Sequence, residues 1–508
     1  MKRIAPFCLV SVLLALCPLL LIFMKLKSVL FTVHRWLGIG MCLLFALWFA
    51  SGIVMMYVEY PQLTEEERLD KLPDLNTSQV LFSPFAAAAS IHTERVFSAV
   101  KLSTVLDRPA YQFQVIDGSN KTVFADTGEV FTGLDRESAI AAAAASGFSH
   151  GDSMPSYDAL ITMDQWSITA GLNRFRPLHR VKINDPAGTV VYVSDSSGQI
   201  VLDTHRNERF WNWLGSTIHW IYPVQLRKNA PLWNKVIIYV SLIGIVSVVT
   251  GGIIGFMRIR LGVSSRSTGI SPYEGMMNWH HILGLVSLVF VFTFIFSGLM
   301  SMGPWGIFNP ATSAQAQISR YTGGNVLRLS TLPLPDFRTV DATVKEIQWH
   351  QISSAAYYSL IKTQDERVVG FGDGSSGNQS PRLLAMIEEA VPRLLPDATL
   401  LSLELVRQQD NYYYSRRHRY RPLPIYRAKF DDIESTWYHI DPRSGELVNR
   451  VTDASRRERW LFNGLHSLDF QFLLQRRPLW DIVVIALSLL GLVFSISAVV
   501  IGWRRLTN

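Results

Sequence analysis

His34-Arg35-Trp36-Leu37-Gly38 opens one membrane-length apolar run, and His280-His281-Ile282-Leu283-Gly284 opens another about 246 residues later. The echo continues outward from both stretches. Ser51-Gly52 with Met56 returns as Ser297-Gly298 with Met302, and His219 returns as His466. Pro231-Leu232-Trp233 is matched by Pro478-Leu479-Trp480, Ser241 and Gly244 by Ser488 and Gly491, and Arg258 by Arg505. The pattern reads as a duplicated membrane unit whose histidines come in related pairs.

Of the 508 residues 48 % are apolar, which fits neither a wholly soluble enzyme nor a bundle buried throughout the bilayer. Runs near the length of about 20 residues that spans hydrocarbon lie at 4–24, 30–58, 235–257, 281–302 and 481–503. Two polar blocks, 59–230 and 303–478, are each long enough for a core of their own. The formal charge of +7 is modest, and the basic residues stand beside apolar runs. They read as membrane anchors, with the lipid bilayer as partner and no nucleic acid. The three cysteines (Cys8, Cys17, Cys42) all lie in apolar runs. A Cys-x-x-Cys-His attachment site and a cysteine-held iron–sulfur cluster are therefore excluded.

Orientation follows from the short connections. Lys25, Lys27 and Arg35 precede the second run, Arg258, Arg260 and Arg266 follow the third, and Arg504 and Arg505 close the chain. These ends are expected in the cytoplasm and both polar blocks outside. Arg227, Lys228, Arg476 and Arg477 run against this pattern. The first run has no counterpart in the second half. Residues 1–27 read either as an extra N-terminal helix or as an extension upstream of the true start.

The expected order is then helix 28–58, outer domain 59–230, helix 231–260, cytoplasmic loop 261–278, helix 279–302, outer domain 303–478, and helix with tail 479–508. The outer blocks carry short alternating strands broken by Asp126-Thr127-Gly128, Asp195-Ser196-Ser197-Gly198 and Asp441-Pro442-Arg443-Ser444-Gly445, which is hairpin chemistry. Helical stretches at 135–146 and 381–392 accompany them, giving an α+β class with small antiparallel sheets, each covered by a helix. The glycine run Gly370-Phe371-Gly372-Asp373-Gly374 lacks a strand–helix context and reads as a loop, not a nucleotide site.

A helix opening His-x-x-Leu-Gly, turns of the Asp-x-x-x-Gly-Glu kind before a strand, and a histidine ahead of a closing helix resemble the PepSY-associated transmembrane family over residues 28–505. The resemblance implies four core transmembrane helices, with two PepSY-like domains facing the periplasm from a bacterial inner membrane. It also implies a ferric-siderophore reductase with b-type haem. Some relatives fuse a flavin or nicotinamide module, for which this chain has no room.

The histidines carry the chemistry. Two imidazoles from related positions can bind opposite faces of one iron, and non-covalent haem b, twice over, is the group so held. His34 pairs with His280, and His219 with His466. Repeat alignment selects His280; His281, about 100° around the helix, is the alternative. Gly38 and Gly284 lie one turn from His34 and His280 on the same faces, where they leave room for a flat plate. Gly52 and Gly298 offer the same near the outer pair. Taken singly, each glycine also reads as helix packing and each histidine as an interfacial residue. Arg35 is placed to meet a haem propionate on the cytoplasmic side. Arg227, Lys228, Arg476 and Arg477 are so placed outside, where lipid phosphate is the other reading.

Two haems in series imply a path for electrons from a cytoplasmic reductase or quinol to a ferric chelate outside. Two rivals stand beside that expectation: a conduit to a periplasmic redox protein, and a haem-free PepSY protein that binds or restrains a protease. Tyr412-Tyr413-Tyr414-Ser415-Arg416-Arg417-His418-Arg419 reads either as a cradle for an anionic chelate or as an edge strand with a solvated basic end. Trp211, Trp213 and Trp220 read as an interfacial aromatic belt.

Overall fold

The computed structural model describes residues 7–91, 96–149, 153–260, 270–377, 380–416 and 420–508, with side chains from Lys25 onward. Among these, four helices are long and apolar enough to cross a membrane. They are α1 (Phe7–Met55, apolar and side-chain-resolved from Lys25), α2 (Ala230–Met257), α3 (Gly275–Met300) and α4 (Leu479–Thr507). Helix α1 passes Lys25–Lys27 without a break, so from Phe7 the expected extra run is the beginning of the same helix. Residues 1–6 and 261–269, the latter most of the expected cytoplasmic loop, lie outside the described residues.

The helices pack in a ring, α1 on α2, α2 on α3, α3 on α4 and α4 on α1. Met41, Phe45, Phe49, Val248, Val291 and Ile295 fill its centre. Two of the repeated glycines make that packing fit. A β-carbon at Gly244 would stand 3.2 Å from Phe45 and 3.3 Å from Ile295, and one at Gly491 would collide with the Phe49 ring. The repeated tryptophans tie helix starts to the segments behind the histidines. Trp233 Nε1 donates to the carbonyl of Trp220 at 3.0 Å, and Trp480 Nε1 to that of Ser467 at 2.9 Å.

The polar blocks form fifteen strands among the described residues. Strands β1 (Phe97–Val105), β2 (Arg108–Val115) and β3 (Asn120–Phe124) come from the first block. Strands β8 (Glu346–Ile352), β9 (Ala355–Ile361), β10 (Arg367–Gly370) and β11 (Ser376–Gly377) come from the second. Together they make one seven-stranded sheet in the order β11-β10-β9-β8-β1-β2-β3. Two four-stranded meanders stand apart: β4 (Ser156–Ile161) to β7 (Ile200–Thr204) through β5 (Leu178–Lys182) and β6 (Val190–Ser194), and β12 (Leu400–Val406) to β15 (Leu447–Val451) through β13 (Ile425–Phe430) and β14 (Trp437–Ile440). The expected helices appear as Arg136–Ala145 and Pro381–Ala390. The Asp-to-Gly turns are where they were expected; Gly198 (φ +71°) joins β6 to β7 and Gly445 (φ +71°) joins β14 to β15, a conformation open chiefly to glycine.

The seven-stranded sheet departs from the expectation of separate sheets. Strand β1 pairs antiparallel with β8, Lys101 opposite Gln348 and Leu102 opposite Ile347, so one sheet crosses from block to block. One face buries Leu102, Tyr111, Phe113, Ile347 and Trp349 together. On the other face Glu346, wholly buried, accepts from Arg68 at 2.9 Å and Lys101 at 3.0 Å. Burial opposes its charge, but the two cations, Lys101 foremost, hold its carboxyl down at about 2. A buried carboxylate is tolerated only with such partners.

Candidate functional site

Each half of the chain reaches its second histidine through a widened turn. Trp213–Thr217 and Arg459–Gly464 are π-helical, a local irregularity that concentrates at functional sites. The turns lead to His219 and His466, whose imidazole centroids lie 6.0 Å apart with ring planes at 69°. Both rings are held in the same way. His219 Nδ1 lies 3.1 Å from the Trp48 carbonyl oxygen and 3.1 Å from Ser51 Oγ. His466 Nδ1 lies 3.1 Å from the Phe294 carbonyl oxygen and 3.0 Å from Ser297 Oγ. With an acceptor carbonyl at each Nδ1, the proton belongs there, and each Nε2 keeps its lone pair without a hydrogen-bond partner among the described residues. That is the tautomer a metal-ligating histidine needs.

Burial, the neighbouring His466 and, opposing them, the Trp48 carbonyl bring the His219 pKa down to about 3. Burial likewise lowers that of His466, opposed by the Phe294 carbonyl. Both imidazoles are neutral at physiological pH, as metal binding requires.

The first histidine of each half is anchored through Nδ1 as well. His34 Nδ1 faces the Ser247 carbonyl oxygen of α2 at 3.1 Å, and His280 Nδ1 faces Ser497 Oγ of α4 at 3.0 Å. His34 lies so close to α2 that a β-carbon at Gly251 would stand 2.6 Å from its Cε1. His34 and Ser51 share α1, about 26 Å apart at about 1.5 Å per residue. His219 and His466 thus sit toward the end of the bundle beside the sheet domains, and His34 and His280 toward the other end.

The family model for the PepSY-associated TM region matches residues 31–336, more than half of the chain. The chain belongs to this family. No curated protein matches it.

In this PepSY-associated membrane protein the remaining site residues separate clearly. His281 is buried with both nitrogens engaged, Nδ1 at 2.9 Å from Ser271 Oγ and Nε2 at 2.9 Å from the Gly255 carbonyl oxygen. It is a tie between α2 and α3, whereas His280 is hydrogen-bonded through Nδ1 only, among the described residues. A β-carbon at Gly38 would meet nothing within 4 Å. At Gly284 the Phe494 ring fills the space and stacks on His280, centroids 4.9 Å apart. Gly52 and Gly298 give room to the imidazoles themselves, their β-carbon positions being 3.4 Å from His219 and 3.7 Å from His466.

The basic residues expected at propionates are elsewhere occupied or exposed. Arg35 is exposed beside Trp36. Arg227 lies over Tyr222 and Trp233, Lys228 and Arg476 are exposed, and Arg477 pairs with Asp481 at 2.7 Å. Over its described residues, 412–416, the tyrosine-rich stretch is a packed loop and not an edge strand, because its rings are anchored by neighbours. Tyr413 stacks on His439 at 4.5 Å, Tyr412 packs on Trp437, and the Tyr414 hydroxyl donates to Asp469. Arg417, His418 and Arg419 lie outside the described residues, as do His92 and His150. Sequence reading missed the π-turns and the anchoring roles of Ser51 and Ser297; the serines were visible as echoes, with no partner to give them meaning.

Proposed function

We propose that this protein is an inner-membrane oxidoreductase that moves electrons outward to a ferric chelate, of the ferric-siderophore reductase type, and holds two non-covalent haem b groups. The observation that carries the reading is the His219–His466 pair. Two metal–imidazole bonds of about 2 Å put ring centroids about 6 Å apart, and these lie at 6.0 Å with both Nδ1 atoms anchored. Among the described residues no three histidine, cysteine or acidic side chains cluster as a protein-only metal centre; His219 and His466 would hold a tetrapyrrole iron through their unpartnered Nε2 atoms. His34 and His280 hold the second group. When bound, the two groups supply reversible one-electron carriage, and the chain's part is to fix the ligand rings and keep water from them.

The same ion network, repeated in the two meanders, supports reading the chain as two copies of helix, sheet domain, helix. Arg180 meets Asp164 at 2.9 Å and Lys182 meets Asp158 at 2.6 Å; 246 or 247 residues on, Arg427 meets Asp410 at 2.6 Å and Lys429 meets Glu404 at 2.7 Å. Basic residues at the ends away from the sheets orient the sheet domains to the periplasm. Reduction to Fe(II) weakens binding by hard oxygen donors, so the chelate releases its metal. The donor is a quinol or a cytoplasmic reductase. The test is stopped-flow mixing of chemically reduced protein with a ferric siderophore. The reading expects rapid reoxidation with Fe(II) in a ferrous trap, abolished by His219→Ala or His466→Ala. Reoxidation by a periplasmic redox protein and by no ferric chelate would reject the chelate as acceptor.

A further inference from the structure

Arg459 is a buried cation with an idle donor. It is 7 % exposed. Its Nε donates to the Asn411 carbonyl at 2.8 Å and one terminal nitrogen donates to the Asp469 carbonyl. The other, Nη1, is buried with no hydrogen-bond partner. No carboxylate lies within ion-pair distance of this guanidinium among the described residues. The nearby Asp469 carboxylate is taken by Arg416 at 2.7 Å and by the Tyr414 hydroxyl at 3.0 Å. The guanidinium stands over Tyr414 and Trp460, 4.9 and 5.0 Å from their centroids. At Gly464 a β-carbon would sit 3.8 Å from Nη1, so the glycine keeps a side chain away from that nitrogen. A buried donor left unpaired is costly, and an anionic oxygen at Nη1 removes the cost through a charge-assisted hydrogen bond.

The location identifies the anion. Arg459 opens the π-turn Arg459–Gly464, and His466 follows that turn by two residues, so one short segment carries both the idle donor and the imidazole. At the matching position of the first half, in the register that aligns His219 with His466, stands Asn212, which is buried but carries no charge. We infer that Arg459 is a one-sided carboxylate site that grips a propionate of the tetrapyrrole held by His219 and His466. This rests on the haem reading above. It takes the place of the sequence-based choices: Lys228, Arg476 and Arg477 are exposed, and Arg227, which also has a buried nitrogen without a partner, is only half-buried and stands over Tyr222 and Trp233.

The experiment uses full-length protein in the His34→Ala background, which retains the outer haem alone, and reads its midpoint by spectroelectrochemical titration. Arg459→Gln removes the charge and should lower the reduction equilibrium constant about tenfold, 59 mV for a one-electron couple. Arg459→Lys should restore most of it. An unchanged midpoint in Arg459→Gln overturns the inference. A second arm needs no variant at Arg459. Haem-depleted protein should take up haem dimethyl ester, which lacks the carboxylates, about tenfold more weakly than haem. Equal affinities would overturn the propionate and leave a lipid phosphate or another anion as the occupant. Absence of haem from wild-type protein would instead refute the functional reading beneath the inference.

Discussion

Lys101 of strand β1 and Glu346 of strand β8 meet at 3.0 Å across the seam where the two halves of the chain share a sheet. Arg68 completes the ion triad at 2.9 Å. The seam therefore holds a carboxylate with no solvent to stabilise it, and its two cations come from the other half of the chain.

The carboxyl of Glu346 titrates near 2 in the fold, below the ordinary 4.5. Its stabilisation is thus fully present above about pH 4.5 and is lost as pH falls toward 2, worth about 3 kcal/mol by linkage. Glu346→Gln leaves Arg68 and Lys101 facing a neutral amide, and should cost about 3–5 kcal/mol. Differential scanning fluorimetry of the detergent-solubilised protein should show a lower apparent Tm at pH 7 and a shallower acid limb. A variant as stable as wild type would mean the triad does not hold the seam.

Helix α2 touches His34 at Gly251, and a side chain there has nowhere to go. Gly251→Val should displace the imidazole and remove the haem held by His34 and His280, leaving the other. The outer pair has no contact with that position, so a redox titration should lose one of two components. Retention of both would mean His34 is not a ligand.

His281 and His280 are adjacent and should behave oppositely. His280→Ala should remove one haem with little loss of fold. His281→Ala breaks two hydrogen bonds in a buried site, each worth about 1 kcal/mol, and should lower thermal stability while haem content per folded chain is unchanged. The reverse pattern would move the ligand to His281.

The sidedness of the chain can be read by cysteine labelling. Ser265→Cys, in the connection between α2 and α3, should label only from the cytoplasm, and Ser376→Cys, on the edge strand β11, only from the periplasm. Labelling of both from one side would contradict the orientation.

Much of this was legible in the chain because the signals were local or repeated. Four spans follow from apolar run length, the turns at Gly198 and Gly445 from residues that tolerate positive φ, and the closeness of His219 to His466 from the repeat. The β1–β8 seam was not legible, since Leu102 and Ile347 pair across some 245 residues with no local mark of it. Nor was Arg459 distinguishable from its basic neighbours; only burial and an idle nitrogen set it apart. The tyrosine run misled because composition alone does not say that Tyr413 is buried against His439.

The central claim is that four histidines hold two haems. A pyridine haemochrome assay on the purified full-length protein, from cells with ample haem, measures this directly. Two b-type haems per chain are predicted, falling to one in His219→Ala or His466→Ala. A preparation with no haem, in folded protein, would contradict the account.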